Sequence, residues 1–434
     1  MKNPLNKRLL RELRTEFGKY AVIFLFMVMT IGLESGDLVA SDSMIATCNQ
    51  RYEKYHVENG HFHLKQKMKE EAVNKIEKED VTVYPDFYVE RSYKGKDKKE
   101  KTLRIYESRD EINQLCIMDG SLPEKDNEIV IDRMFADNNK TKTGDILSID
   151  GKDYTVSGLV SFSDYTTMFQ NNSDMMFDSV NFGVAMGTKS EFESLSDRNL
   201  TYNYAWIYNA GDPADDMEEK KWSDDLLETV VDAAGEGGGA TALGSMLGVL
   251  NMDNGIDDYV PRYTNQAMNF AGDDLGSDRG SMLAFLYILI AVLAFIFGVT
   301  ISHTITKEAT VIGTLRASGY TRGELFRHYI SMPIIVTLLA ALVGNILGYT
   351  YMKGVISDLY YSSYSLPKYE TLWNQQAFVL TTLVPILLML LVTGVTLIRK
   401  LKLSPLQFIR RDLTKSKRKK AVKLPHFKFF NRFR

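Results

Sequence analysis

The sequence predicts a membrane protein with four transmembrane helices and a large extracytoplasmic α+β domain inserted between helices 1 and 2. Three observations carry that prediction. Gly280–Thr306, Tyr329–Met352 and Thr371–Ile398, of 27, 24 and 28 residues, contain no Asp, Glu, Lys or Arg. Each reaches the ~20 residues that a helix needs to cross a ~30 Å hydrocarbon core. Charge is segregated around them, basic in the short flanks and acidic in the long segment 41–280. That segment is also filled with strand patterns of period two. An average of 25% charged and 45% hydrophobic residues over 434 positions hides this segregation, and the charge-free stretches exclude a purely soluble enzyme.

Taken in order, residues 1–19 carry six Lys/Arg against two acids and place Leu5, Leu9, Leu10, Leu13 and Phe17 on one helical face. This is the pattern of a cytoplasmic amphipathic helix lying in the membrane interface. The first crossing, 20–40, is the weakest: Tyr20–Leu33 is apolar, and Glu34 and Asp37 follow. Both acids are expected near the outer interface, solvated, where ionisable groups cost less than at the bilayer centre. A basic start before an apolar run also suits a secretory signal peptide. The patterned leader and the lack of a clean small-x-small site after Leu33 favour an uncleaved helix.

The remaining crossings are expected at 281–303, 329–352 and 371–398, with a cytoplasmic loop at 304–328, an external loop at 353–370 and a basic tail at 399–434. Residues 302–328 hold four Lys/Arg against two acids, and the tail holds fourteen against one. Short basic flanks stay inside, which puts both termini in the cytoplasm of a multi-pass plasma-membrane protein. Residues 41–280, with 26 Lys/Arg against 46 acids, are then extracellular. His303 and His328 fall at the inner boundary, beside headgroups. Gly344 and Gly348 form a small-xxx-small pair suited to close helix packing.

The external segment begins helix-like over 41–80, as a stalk continuing the first crossing. Val81–Val89, Leu103–Tyr106, Glu128–Asp132, Ile146–Ile149 and Tyr154–Val160 read as strands, with turns at Gly144-Asp145 and Asp150-Gly151. A lysine-rich hairpin tip is expected at Lys94–Lys101. Thr188-Lys-Ser-Glu191 reads as a capping box, Asp215–Ala234 as an acidic helix and Gly235–Gly239 as a flexible loop. Chemistry is thinly signalled here. His61 and His63 share one strand face near His56, a weak metal pattern beside a polar patch. Asp215-Asp216, Asp224-Asp225, Asp257-Asp258 and Asp273-Asp274 lack calcium-loop spacing. GVAMGTKS at 183–190 misses the nucleotide P-loop, because its second Gly is one residue early. Cys48 and Cys116 match no zinc or redox motif. No metal site, bound cofactor, catalytic residue or nucleic-acid partner is expected.

The loop Thr306–His328 is the most informative short segment. A helix through Leu315 presents Val311, Ile312 and Leu315 on one side; Gly319 stops it, and Thr321-x-x-Glu324 caps the next helix. The resulting bend offers a short, partly apolar helix to a partner.

KEATVIGTLRASGYTRGELFRHYISMP resembles the signature loop of the FtsX-like permeases of ABC transporters, the MacB-type superfamily. Gly120-Ser-Leu-Pro123, Asn127–Asp132, Gly144-Asp145 and Tyr154–Gly158 are similar to the first strand block of that family's external domain, and the order of crossings is the same. The resemblance implies a MacB-like extracytoplasmic domain and a permease without ATPase motifs of its own. Glu308, Val311, Ile312, Gly313, Leu315, Arg316 and Gly319 would then form a coupling helix that docks on a separate ABC ATPase, which holds ATP and Mg. It implies mechanotransmission, in which ATP hydrolysis moves the external domain to export or handle a peptide, lipid or lipoprotein at the surface. An FtsX-like scaffold that regulates a cell-wall hydrolase or senses an extracellular ligand is the alternative. The lipid bilayer and a second permease copy or half complete the expected partners. The tail, with Phe427, Phe429, Phe430 and Phe433 among basic residues, resembles the run-in to a second membrane half in the long Gram-positive permeases; an interfacial anchor suits it equally.

Overall fold

The computed structural model describes residues 4–194, 200–234 and 256–412, in two compact units. One comprises Met1–Ser35, Leu283–Tyr349 and Gln375–Arg434; the other comprises Gly36–Met282 and Thr350–Asn374. In chain order the elements are α1 (Pro4–Thr15), α2 (Phe17–Lys54), β1 (Gly60–Leu64), α3 (Glu70–Ile76), β2 (Val81–Pro85), β3 (Tyr88–Lys94), β4 (Glu100–Tyr106), β5 (Leu115–Gly120) and β6 (Glu128–Asp132). There follow α4 (Arg133–Asn138), β7 (Ile146–Ile149), β8 (Lys152–Phe162), β9 (Phe182–Met186), α5 (Lys189–Ser194), β10 (Leu200–Tyr208), α6 (Asp216–Ala234) and β11 (Ile256–Pro261). The chain then becomes helical: α7 (Gln266–Lys307), α8 (Ala309–Ala317), α9 (Arg322–Leu347), α10 (Lys353–Ser363), α11 (Gln375–Phe378), α12 (Val384–Leu401) and α13 (Pro405–Ile409). The expected Gly235–Gly239 loop and the aromatic tail lie outside the described residues.

Among the described residues four helical runs are long and apolar enough to cross a membrane: Phe17–Lys54, Gln266–Lys307, Arg322–Ser363 and Gln375–Leu401. With the sheet domain between the first two, this is the predicted fold class. The third run extends into the segment 353–370, whose first part, Lys353–Ser363, is helical. It continues through a π-helical turn, Gly348–Met352, into α10. Lys353 and Asp358 end the apolar stretch, but such residues cost a helix little, so the end of the hydrophobic run was not the end of the helix. The stalk expected over 41–80 is shorter than supposed. α2 stops at Lys54, His56 takes a left-handed conformation (φ 47°), and β1 begins at Gly60.

In the α+β unit the strands run β11-β1-β10-β3-β4-β9-β6-β8-β5, with β2 also on β10 and β7 on β3 and β8. β4·β9 and β6·β8 are parallel; the other pairs are antiparallel. Both faces are covered. Ile129 and Ile131 of β6 join a core with Leu103, Phe135 and Trp206, while the intervening Val130 joins a second core with Tyr106, Phe162 and Val184. Period-two alternation therefore separates two apolar sets. The expected Val81–Val89 strand is two strands, β2 and β3. The β7–β8 hairpin turns on Asp150 (φ 49°) and Gly151 (φ 79°), the left-handed pair of a type I′ turn. The capping box at Thr188 is half formed: the Thr188 hydroxyl accepts the Glu191 N–H, but the Glu191 carboxylate turns to Lys152 and Tyr154.

A buried ion cluster ties the second core to its loops. Arg109 is bidentate on Asp86 (2.8 and 2.7 Å), reaches Asp164 (2.8 Å), and stacks 3.6 Å from the Tyr106 ring centroid. The helices of this unit pack Ala40, Met44 and Cys48 against Ala271, Leu275, Tyr360 and Tyr364. Asp37 is thereby 4% exposed, and Glu34 is fully buried, which corrects the expectation that both are solvated. The apolar pattern of α2 marked its membrane depth but not how completely neighbouring helices wrap it. Cys48 and Cys116 are both buried free thiols.

The helical unit packs Met27, Val28 and Ile31 of α2 on Val336, Ala340 and Ala341 of α9, with Leu293, Phe297 and Met389. Gly344 sits at the closest approach: a Cβ there would lie 2.8 Å from Ile31 Cβ and 3.2 Å from the Val28 carbonyl oxygen. Gly32 faces the same contact, 3.4 Å from the Gly344 carbonyl oxygen. Gly348 is buried and opens the π turn.

Two outcomes follow from these contacts. Arg109→Met strands two buried carboxylates and should cost roughly 3–5 kcal/mol, read by urea denaturation of the solubilised protein. Gly344→Ala should lower the thermal midpoint through overlap with Ile31, whereas Gly354→Ala, with open space at its Cβ, should not lower it.

Candidate functional site

The segment between the second and third long helices folds into a helix–turn–helix bend. α7 ends at Lys307 and α8 follows after Glu308. α8 closes with a paired C-terminal turn, the Gly319 N–H on the Arg316 carbonyl (3.2 Å) and the Tyr320 N–H on the Leu315 carbonyl (3.1 Å). That geometry requires a left-handed residue after the last turn, and Gly319 supplies it at φ 98°. Thr321 then starts α9 with a complete capping box: its hydroxyl accepts the Glu324 N–H (3.2 Å), and Glu324 accepts the Thr321 N–H (2.8 Å).

The residues singled out from sequence divide sharply by surroundings. Ile312 is 0% exposed, in a core with Ile301, Ile305, Leu325, Leu397 and Phe408. Gly313 is covered by α13, where a Cβ would meet Ile409 Cγ1 at 2.8 Å and Phe408 Cβ at 3.1 Å. Arg316 donates to the carbonyls of Leu401 (3.0 Å) and Leu403 (2.8 Å), tying α8 to the end of α12. Glu308 accepts Arg8 (2.8 Å) and the Tyr329 hydroxyl. Leu315 is half-buried against the same core. Val311 is 39% exposed. With Thr310, Thr314, Ala317 and Ser318 it forms the outward stripe of α8.

The contacts sort the residues of α8 by what each one touches. Ile312, Gly313, Glu308 and Arg316 hold the helix in place, and Val311 with the small polar residues around it remains accessible. The apolar stripe of a helix marks whichever side is covered, here by α7, α9, α12 and α13, and Thr310 and Thr314 lie on the other side. His328 is corrected too. It is buried, with Nε2 3.2 Å from Glu12, rather than among headgroups. Burial raises the Glu12 carboxyl, but the His328 hydrogen bond and the Arg8 charge outweigh it and hold the group below its ordinary value. Arg8, Glu12, Glu308, His328 and Tyr329 thus join α1 to both sides of the bend.

The chemical candidates of the sheet domain resolve individually. Gly183–Met186 of the near P-loop is strand β9, with Gly183 flat against the Phe135 ring, so it offers no phosphate cradle. Asp215 caps α6 through the Met217 and Glu218 N–H groups, and Asp224 pairs with Lys220. Among the described residues no cluster of three or more His, Cys, Asp or Glu is placed to hold a metal ion.

Residues 283–405 match the family model described as FtsX-like permease C-terminal. No curated protein matches the chain. Among solved structures, the crystal structure of the periplasmic region of MacB from Actinobacillus actinomycetemcomitans is similar at 12% identity, covering 45% of this chain and 94% of that chain with a TM-score of 0.26.

The division of α8 gives a direct check. Ile312→Asp buries an unpaired carboxylate and should abolish recovery of folded protein, while Val311→Asp should leave the thermal midpoint within about 1–2 °C, measured on detergent-solubilised protein.

Proposed function

From the match of residues 283–405 to the FtsX-like permease C-terminal model, we propose that this protein is the permease subunit of an ABC transporter, worked by a separate ATPase that binds ATP and Mg. The observation that carries the proposal is α8: a short helix between two membrane-crossing runs, fixed on one side by Ile312, Gly313 and Arg316 and accessible on the other. A partner pressing on the accessible stripe moves the end of α12, and α1 through Glu308 and Arg8, without bending α8 itself.

The proposed mechanism is mechanotransmission. Closing of the ATPase displaces α8 and, through it, the membrane helices, and the extracytoplasmic α+β domain changes state in consequence. Both termini and the α8 bend are proposed to be cytoplasmic, on the strength of their basic flanks. The membrane helices leave Phe295, Leu342, Leu387 and Leu391 exposed, surface suited to lipid and to a second permease copy or half. Export or surface handling of a peptide, lipid or lipoprotein is the expected output.

The test uses the full chain in detergent, mixed with the ABC ATPases of its own host. The native protein should retain one of them, and Val311→Asp combined with Thr314→Asp should cut retention at least tenfold while leaving the thermal midpoint unchanged. Retention undiminished by that pair would move the dock elsewhere, and no retention by folded native protein would sink the transporter reading.

A further inference from the structure

The α+β unit carries an open-mouthed cavity of about 250 Å³, remote in the chain from the α8 bend and unused by it. Its walls come from β1, β4, β10 and β11, with loops carrying Glu58, Asp164 and Gln170. The cationic groups that line it are already spent on the protein. Arg104 gives its guanidinium to Glu90 (2.6 and 3.0 Å), the Tyr165 hydroxyl (2.7 Å) and the Gln170 carbonyl (2.7 Å). His61 is bound through Nδ1 to Glu58, whose other oxygen accepts from Asn113 (2.7 Å).

What remains open is acceptor capacity, arranged in a row. On β1, His63 stands opposite Asn203 of β10 and opposite Asp258 of β11. Directly paired residues on adjacent strands project from the same sheet face with Cβ atoms ~5 Å apart. All three line the cavity. Asn203 is 2% exposed; its Nδ2 lies 3.4 Å from Asp86, and its Oδ1 has no hydrogen-bond partner among the described residues. A buried amide oxygen left so bears its full desolvation cost until a donor fills it. The His63 ring likewise makes no hydrogen bond among the described residues. Burial, with the charges of His61 and Arg104, lowers its basicity, so one ring nitrogen is an acceptor. Asp258 supplies an exposed carboxylate at the end of the row.

Amide oxygen, neutral imidazole nitrogen and carboxylate together call for a compact group with three donors and a positive charge. We propose that this cavity binds the primary ammonium group of a small molecule or peptide side chain, held by Asn203, His63 and Asp258. A neutral hydroxyl satisfies at most one of the three acceptors, and an anion is repelled by the exposed Asp258 carboxylate at the end of the row. The lysine ammonium, with three rotatable donors, has the required form.

The experiment is a titration of the full chain in phosphatidylcholine nanodiscs, without nucleotide, against 1,5-diaminopentane, 1,5-pentanediol and glutarate, followed by saturation-transfer NMR. Saturable binding is expected for the diamine alone. Asn203→Leu and Asp258→Asn should each weaken it at least fivefold, and Asp224→Asn, an acid outside the cavity, should not. Asp258 is at the surface, so its variant keeps the test valid should Asn203→Leu fail to fold. Equal binding of the diol or glutarate, unaltered diamine binding in Asp258→Asn, or no saturable binding would each overturn the proposal. Because no ATPase is present, any of these results leaves the permease reading standing.

Discussion

Nine residues cannot hold a helix in water, since nucleation costs more than so few hydrogen bonds return. α8 therefore exists only through its tertiary contacts. Ile312 inserts into a core built from α7, α9, α12 and α13, Gly313 lets α13 approach, and Arg316 closes the free carbonyls at the end of α12. The same contacts that make the helix make it immobile relative to its neighbours. A short helix fixed in this way can pass on a push, because displacing it displaces the four helix ends that form its core.

The chain's punctuation was legible in the sequence. Gly319 and Thr321-x-x-Glu324 mark a left-handed stop and a capping box, both local devices that need only a few adjacent residues. The charge-free runs marked membrane helices for the same reason: hydrocarbon thickness is a constraint on consecutive residues. Which side of a helix faces out is a different kind of information. Ile312 and Val311 are adjacent apolar residues, and the packing of α7, α9, α12 and α13, with Leu397 and Phe408 from far along the chain, decides that one is core and the other surface. The burial of Glu34 and Asp37 is likewise not marked by the residues beside them.

The same limit governs the sheet domain. The β7–β8 hairpin could be read because its turn residues lie next to the strands they join. β10 and β11 bring Asn203 and Asp258 to either side of His63 from roughly 140 and 195 residues further along the chain. Each residue alone is an unremarkable polar position on a strand. The acceptor row exists only as a product of register, and register is set by which face each strand buries.

Several charged groups in this protein are consumed in pairs: Arg109 with Asp86 and Asp164, Arg104 with Glu90, Glu308 with Arg8, His328 with Glu12. Such pairs need near-complete satisfaction to be tolerated at low dielectric, and they resist relative motion of the elements they join. On the proposed mechanism, movement falls to what the pairs leave alone, the long helices as rods. α7, at 42 residues, is about 63 Å long at 1.5 Å per residue, twice the ~30 Å hydrocarbon thickness. A rod of that length converts a small tilt at one end into a displacement of several ångströms at the other. On the proposed mechanism, the rigidity of α8 and the length of α7 are complementary requirements: the first prevents the applied motion from being absorbed locally, and the second enlarges it across the membrane.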